Sequence, residues 1–190
     1  MDNRVIGYVS TVPIFIDDDI TVLPDEGYTW AIKSSIKNSF KKKNALCALA
    51  AVIDPEYKNL GLSKALISVL KAICLSNSFS RLIVPVRPVW KERYSNDTID
   101  EFLERKREDG LPFDPWLRAH VLSEGIVRNI CHRSITICSS KKRWEKWISH
   151  SIVPGRNELP GGLAPLYFNV STNIGTYTEP NIWVDYNCSE

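Results

Sequence analysis

One segment constrains the fold more than any other, because an apolar stretch, a short loop, an amphipathic stretch and a second apolar stretch follow one another over residues 45–86. Residues 45–53 are almost continuously apolar, which is typical of a strand buried on both faces. From residue 61 onward apolar side chains recur every three or four residues and predict a helix, with a stripe made of Leu62, Leu66, Val69, Leu70 and Ile73. Residues 82–86 are the next apolar run. This order predicts a parallel β-α-β unit with a right-handed crossover.

The junction between the first strand and the helix has the residue types of an anion site. Backbone N–H groups and the positive end of the helix dipole converge where a helix begins, and both favour a phosphate. Lys58 would add a positive charge, and Gly61 would let an anion approach the backbone closely. Many strand-to-helix turns contain the same residue types and bind nothing, so the pattern alone also fits a plain structural turn.

The remaining sequence predicts further strands and helices and a single domain over residues 1–190. Pro115 after Asp114 is a helix start, with the Asp as N-cap and the Pro in the first turn. The apolar stripe of the first helix consists of Trp30, Ile32, Ile36 and Phe40. We predict one strand, or two bent around Pro13, at residues 5–16, and further strands at 126–130, 134–138, 166–170 and 175–184. We predict helices at 28–42, 99–107 and 141–149, and a long loop at 153–165.

Composition excludes several classes of protein. The formal net charge is only +2 and the one pure basic run is Lys41 to Lys43, so we expect no nucleic-acid partner. The five cysteines show no Cys-x-x-Cys spacing, which predicts neither a disulfide framework nor a metal site and favours a cytoplasmic location. No apolar run approaches the roughly 18 residues that a membrane span needs, so no membrane partner is expected.

Three motifs carry a resemblance to a known family. The segment Lys58-Asn59-Leu60-Gly61-Leu62-Ser63 resembles the Gln/Arg-x-x-Gly-x-Gly/Ala motif of the GNAT (GCN5-related N-acetyltransferase) superfamily. It departs from that motif at Lys58, which lacks the planar fork of Arg, and at Ser63, which is still small. The run from Asp114 to His120 followed by Gly125 is similar to the Asp-Pro-x-Leu-x-x-His motif of a GNAT subset. Glu179-Pro180-Asn181-x-Trp183 is similar to a motif of a narrower group of GNAT-like proteins, which we associate with acyl-CoA ligases and secondary metabolism.

The resemblance implies an α/β (α+β) fold with a mixed, mostly antiparallel sheet, a central splayed parallel pair and flanking helices. It also implies acetyl-CoA or another acyl-CoA as the cofactor and substrate, and no metal. The pantetheine arm would lie in the gap of the splayed pair and bond the backbone of Ala51, Val52 and Ile53. The pyrophosphate would be held by Lys58, Asn59, Leu60, Gly61, Leu62 and Ser63.

Two side chains are predicted to act in catalysis. By the resemblance, His120 matches the catalytic His of a GNAT-like group that decarboxylates malonyl-CoA and passes acetyl to a carrier protein. An imidazole titrates near neutral pH and suits a general acid or base, although a half-buried structural His is the alternative. Arg87, just past the second apolar strand, would hold a substrate carboxylate, or else form a structural salt bridge.

These residues lead to one function and two alternatives. The first is an acyltransferase that moves a small, acetyl-like group from CoA to an amine, a hydroxyl or a carrier-protein thiol. The alternatives are a malonyl-CoA decarboxylase/S-acetyltransferase-like enzyme and a non-catalytic CoA-binding or partner subunit. Only residues 1–44 precede the cofactor strand, where a complete GNAT domain has a strand and two helices before its central hairpin. The chain is therefore a fragment, a trimmed family member, or one whose cleft a second copy or partner chain completes.

Overall fold

A seven-stranded mixed sheet organises the protein, whose computed structural model describes residues 4–17, 20–57 and 60–188. The strands are β1 (Gly7–Ile14), β2 (Ala45–Ile53), β3 (Arg81–Val86), β4 (Ile126–Ser140), β5 (Gly155–Asn157), β6 (Leu166–Asn169) and β7 (Ile174–Asn187). The helices are α1 (Gly27–Lys37), α2 (Leu62–Ser76), α3 (Ile99–Glu104), α4 (Pro115–Leu122) and α5 (Lys141–Ile148), with short 3₁₀ turns at Pro55–Tyr57 and Lys91–Tyr94. In the part of the chain that is described, no helix combines the length and the apolar character of a membrane span.

The strand order is β1-β2-β3-β7-β6-β5, and β4 also pairs with β7. Strands β2 and β3 run parallel, and every other pair that the structure describes is antiparallel. The predicted fold class is confirmed: a mostly antiparallel sheet contains one central parallel pair, joined by the crossover helix α2.

Helices cover both faces of the sheet. On one face α2, α3 and α4 pack over β2, β3 and β7, in a core that includes Leu46, Ile67, Phe102, Leu117 and Ile182. On the other face α1 packs over Ala45, Cys47, Ile83, Cys131 and Trp183. Because both faces are covered, the middle of the sheet is apolar on its two sides.

The predicted start of α4 is confirmed in detail. The Asp114 carboxylate accepts hydrogen bonds from the backbone N–H groups of Trp116 and Leu117, at 3.0 and 2.9 Å. Its other oxygen accepts a bond of 2.8 Å from the backbone N–H of Trp90, in the segment after β3. One side chain therefore caps the helix and ties its start to the carboxyl end of β3.

For two elements, the predicted bounds differ from those in the structure. Helix α1 ends at Lys37, and Ile36 and Phe40 are exposed rather than part of its buried stripe, because the helix packs through the small residues Ala31 and Ser34. Residues 126–140 form one continuous strand and not two paired strands around a turn. The long strand β7 offers pairing along this whole stretch, and a local irregularity between Cys131 and Ile135 absorbs the segment that we predicted as a turn.

Smaller differences concern burial and length. The buried face of α2 consists of Ile67, Leu70 and Cys74, whereas Val69 is half-exposed. Helix α3 ends at Glu104, and the predicted loop at 153–165 contains the short strand β5. Strand β2 is buried only over its first residues, and this difference bears on the functional site.

Candidate active site

The parallel pair opens partway along its length. Strand β2 pairs with β3 only where Ala45, Leu46 and Cys47 face Arg81, Leu82 and Ile83, although β2 continues to Ile53 and β3 to Val86. The outer edges stay paired throughout, β2 with β1 and β3 with β7. Within the described residues no strand fills the gap, so the inner backbone edge of β2 after Cys47 faces an open slot. Such an edge can bond an extended ligand that carries amides.

The residues predicted to bind the pantetheine arm lie in this open half of β2. Ala51 and Val52 are exposed, and Ile53 is intermediate. The first residues of the strand, in contrast, are buried under both faces of the sheet. The residues predicted to bind the pantetheine arm therefore lie beyond the last pair of β2 and β3, which joins Cys47 and Ile83.

The start of α2 is open as well. Gly61 is its N-cap, with a left-handed backbone at φ 75°, and no side chain of the described residues caps the helix. A Cβ placed on Gly61 would meet no atom of the described residues within 4 Å, its two chain neighbours aside. Leu60 is exposed beside it. Lys58 and Asn59, also predicted to hold the pyrophosphate, lie outside the described residues.

Arg87 supports a loop beyond the end of β3. Its Nε lies 3.1 Å from Oε1 of Glu179, and its Nη2 donates to the carbonyl of Gly161. The Tyr177 hydroxyl donates to Oε2 of Glu179 at 2.6 Å and accepts from the backbone N–H of Leu163 at 3.0 Å. Burial and the neighbouring carboxylate raise the pKa of Tyr177, so it remains a donor. Arg87 therefore has a structural ion pair, the second of the two roles that the sequence left open.

A cavity of about 420 Å³ lies beside this loop. Strand β3 pairs with residues 182–187 of β7 and β6 pairs with residues 174–177, while β4 occupies the opposite edge of β7. Strands β3 and β6 consequently share one edge of β7 with a break between them, and the cavity occupies that break. Its polar lining comes from Lys91, Ser95, Asn96, Asp97, Thr98, Arg156, Tyr167, Thr176 and Thr178.

Lys91 is the most buried charged group of the cavity, with 1% of its surface exposed. Its Nζ donates to the carbonyls of Tyr94 and Leu163, at 2.8 and 2.7 Å. Burial lowers the pKa of Lys91, and the charges of Asp97 and Glu101 oppose that effect. Nothing in the sequence around Lys91 distinguishes it from a surface lysine, so sequence reasoning missed it.

His120 lies at the other end of β3. Its Nδ1 is 2.7 Å from the hydroxyl of Tyr186, and Tyr186 pairs with Leu82 at the amino end of that strand. Arg87 directly follows Val86 at the carboxyl end. The structure therefore does not bring the two predicted catalytic residues together.

The surroundings of His120 are closed. The residue is 1% exposed, its ring packs 4.4 Å from the ring of Trp116 between centroids, and burial lowers its pKa to about 3. Its Nε2 has no hydrogen-bond partner among the described residues. The imidazole is neutral at ordinary pH and sealed from solvent. A buried nitrogen without a partner is uncommon and calls for an explanation.

Comparisons with known proteins bear on the fold. No protein-family model matches the sequence. The chain is 27% identical to the arginine N-acetyltransferase avaD of Aspergillus versicolor, over 92% of this chain and 68% of that protein. Its fold is similar to the loading GNATL domain of CurA from Lyngbya majuscula, with a TM-score of 0.59 and 15% identity over 99% of this chain and 73% of that one. It is also similar to the GphF GNAT-like decarboxylase in complex with isobutyryl-CoA, with a TM-score of 0.56 and 11% identity over 100% of this chain and 75% of that one.

Proposed function

Because the chain belongs to the GNAT (GCN5-related N-acetyltransferase) superfamily by its fold and its sequence similarity, we propose that it transfers a small acyl group from coenzyme A to the amine of a small-molecule acceptor. The observation that carries this proposal is the break in pairing between β2 and β3 after Cys47 and Ile83. A parallel pair that separates while both strands continue leaves a slot lined by backbone polar groups.

In this proposal the coenzyme follows the slot and the start of α2. The amides of the pantetheine arm bond to the inner edge of β2 at Ala51, Val52 and Ile53. The pyrophosphate lies against the N–H groups of Leu62 and Ser63, where the helix dipole and the exposed Gly61 backbone favour an anion. Leu60, Lys58 and Asn59 would complete that contact. The thioester then reaches the carboxyl end of β3, where the cavity lies.

The chemistry needs two substrates held side by side. The amine nitrogen attacks the thioester carbonyl carbon, the carbon–sulfur bond breaks, and the proton lost by the amine neutralises the departing thiolate. Holding both reactants in one geometry supplies a large part of the rate enhancement of such a transfer. An amine acceptor is favoured over a hydroxyl or a carrier thiol because avaD is named for N-acetylation of arginine.

A second candidate function is decarboxylation of a malonyl thioester with transfer of the resulting acetyl group. The observation that favours it is the buried His120 Nε2, which has no partner among the described residues and could donate to or accept from a substrate that reached it. This candidate requires the contact between α4 and β7 to open, since His120 is sealed in the present structure.

One assay separates the candidates. The protein is incubated with acetyl-CoA and a set of amines, and with malonyl-CoA, while free thiol and carbon dioxide are measured. Thiol release that depends on an amine supports the proposed transfer. Carbon dioxide from malonyl-CoA supports the second candidate, and CoA binding without either product would identify a non-catalytic CoA-binding subunit and contradict the proposal.

A further inference from the structure

The cavity at the break between β3 and β6 lies at the same end of the sheet as the open slot. Lys91 follows β3 at one side of the cavity, and Leu163, Ala164 and Pro165 precede β6 at the other side. The floor comes from β7, where Thr178 and Pro180 lie just before the residues that pair with β3. A molecule in this cavity would lie beyond the carboxyl end of the parallel pair, where the slot opens.

Lys91 brings a buried positive charge to this cavity without a counterion. Its two hydrogen-bond partners are neutral backbone carbonyls, and no carboxylate oxygen of the described residues lies within ion-pair distance of its Nζ. An ammonium group has three donor protons, and these bonds use two of them. A buried charge without an opposite charge is costly, and a well-placed ligand carboxylate would offset part of that cost.

The other charged side chains near the cavity already have hydrogen-bond or ion-pair partners. Asp97 accepts from the Arg105 guanidinium at 2.7 and 3.1 Å. Arg156 lies 3.2 Å from Glu158. Glu101 accepts from Thr98 in the capping box of α3. The remaining polar lining consists of neutral hydroxyl and amide groups, so among the described residues Lys91 is the cation of the cavity that has no carboxylate partner.

We propose that this cavity is the acceptor site and that Lys91 binds a carboxylate of the acceptor, so that the substrates are α-amino acids or other amines that carry a carboxylate. This inference rests on the proposed transferase function and adds the substrate class to it. The hydroxyl groups of Thr176 and Thr178 then contact the polar part of the side chain. A charge-assisted hydrogen bond in a buried site is strong, so the carboxylate supplies much of the binding free energy of the acceptor.

Matched pairs of amines test the assignment, since each pair differs only in the carboxylate. Acetyl transfer is measured for arginine and agmatine, lysine and cadaverine, histidine and histamine, and tyrosine and tyramine. The wild type, Lys91→Met and the control Lys33→Met are compared; Lys33 is exposed on α1, away from the cavity. For the best amino acid, we expect the wild type to favour the carboxylate-bearing member by about 10- to 100-fold in kcat/KM. Lys91→Met removes that preference through KM, and Lys33→Met retains it.

The outcomes are distinct. If Lys91 only supports the loop, Lys91→Met slows both members of a pair equally and their ratio is unchanged, which overturns the inference. Equal rates for both members in the wild type overturn it as well. If Lys91→Met does not fold, calorimetric binding of the amino acid and its amine to the wild type with CoA present decides, because equal affinities contradict a carboxylate site. Absence of any transfer would refute the proposed function, while the same calorimetry would still test the carboxylate site.

Discussion

The two ends of strand β3 have opposite character. At the carboxyl end the sheet is open, because β2 has separated from β3, the start of α2 is uncapped and a polar cavity interrupts the edge of β7. At the amino end His120, Tyr186 and Gly125 are packed so closely that the imidazole is sealed. Residues with chemically suitable side chains occur at both ends. The comparison teaches that the opened strand pairing, and not the residue type, marks the end of the sheet where we propose that the substrates meet.

The closed end can be tested by adding a single methyl group. A Cβ on Gly125 would lie 2.7 Å from Cγ1 of Val184 and 2.8 Å from both the His120 carbonyl and Cζ of Tyr186. Gly125→Ala should lower the free energy of unfolding by about 3 kcal/mol, since a tightly packed region cannot accommodate extra volume. Urea unfolding followed by circular dichroism measures the change. A loss below about 1 kcal/mol would mean that this end is looser than described and could admit a substrate.

The pH dependence of stability tests the burial of His120. Its folded pKa of about 3 lies below the usual value of 6.5, so the unfolded state binds more protons between these values. The contribution of the neutral His120 to the free energy of unfolding is fully present above pH 6.5 and is lost as the pH falls toward 3. The free energy changes by at most about 1.4 kcal/mol per pH unit in this range. Between about pH 6.5 and 5, the unfolding free energy of the wild type should fall by about 2 kcal/mol more than that of His120→Leu. The carboxyl groups titrate alike in both proteins and so do not affect this difference. Parallel curves would show that His120 is solvated, which would restore it as a candidate acid or base.

The open end is tested at Gly61, with Gly110 as a matched control. Both have left-handed backbones, at φ 75° and 77°, and at neither would an added methyl group meet an atom within 4 Å in the part of the chain that the structure describes. Each Gly→Ala change should therefore cost a similar amount, about 1–2 kcal/mol, from backbone strain alone. Only Gly61→Ala should weaken CoA binding, by about 10-fold, because Gly61 is the N-cap beside the N–H groups that we propose bind the pyrophosphate. Equal CoA affinities for the two variants in calorimetry would place the pyrophosphate elsewhere.

Local sequence patterns predicted the elements whose determinants are local. The apolar runs at 45–53 and 82–86 and the stripe between them predicted β2, α2 and β3, and the Asp114 cap predicted the start of α4. Their order also predicted the parallel pair. Strand β4 was divided wrongly because its continuity depends on pairing with β7, which lies far along the chain.

The candidate site was predictable only where a motif marks it. The segments around Ala51 and Gly61 were identified by the resemblance to GNAT proteins, and both are open in the structure. The burial of Lys91 depends on the carbonyl of Leu163, which is 72 residues away in sequence, and no local pattern encodes such a contact. For the same reason the sequence could not show that His120 and Arg87 lie at opposite ends of one strand.

The central claim, that the opened parallel pair is the coenzyme site, is tested most directly by a crystal structure of the protein with bound CoA. The account predicts the pantetheine arm between the inner edge of β2 at residues 48–53 and the end of β3, with the pyrophosphate at the N–H groups of Leu62 and Ser63. A CoA molecule bound elsewhere, or a sheet in which β2 and β3 pair along their full length, would contradict it.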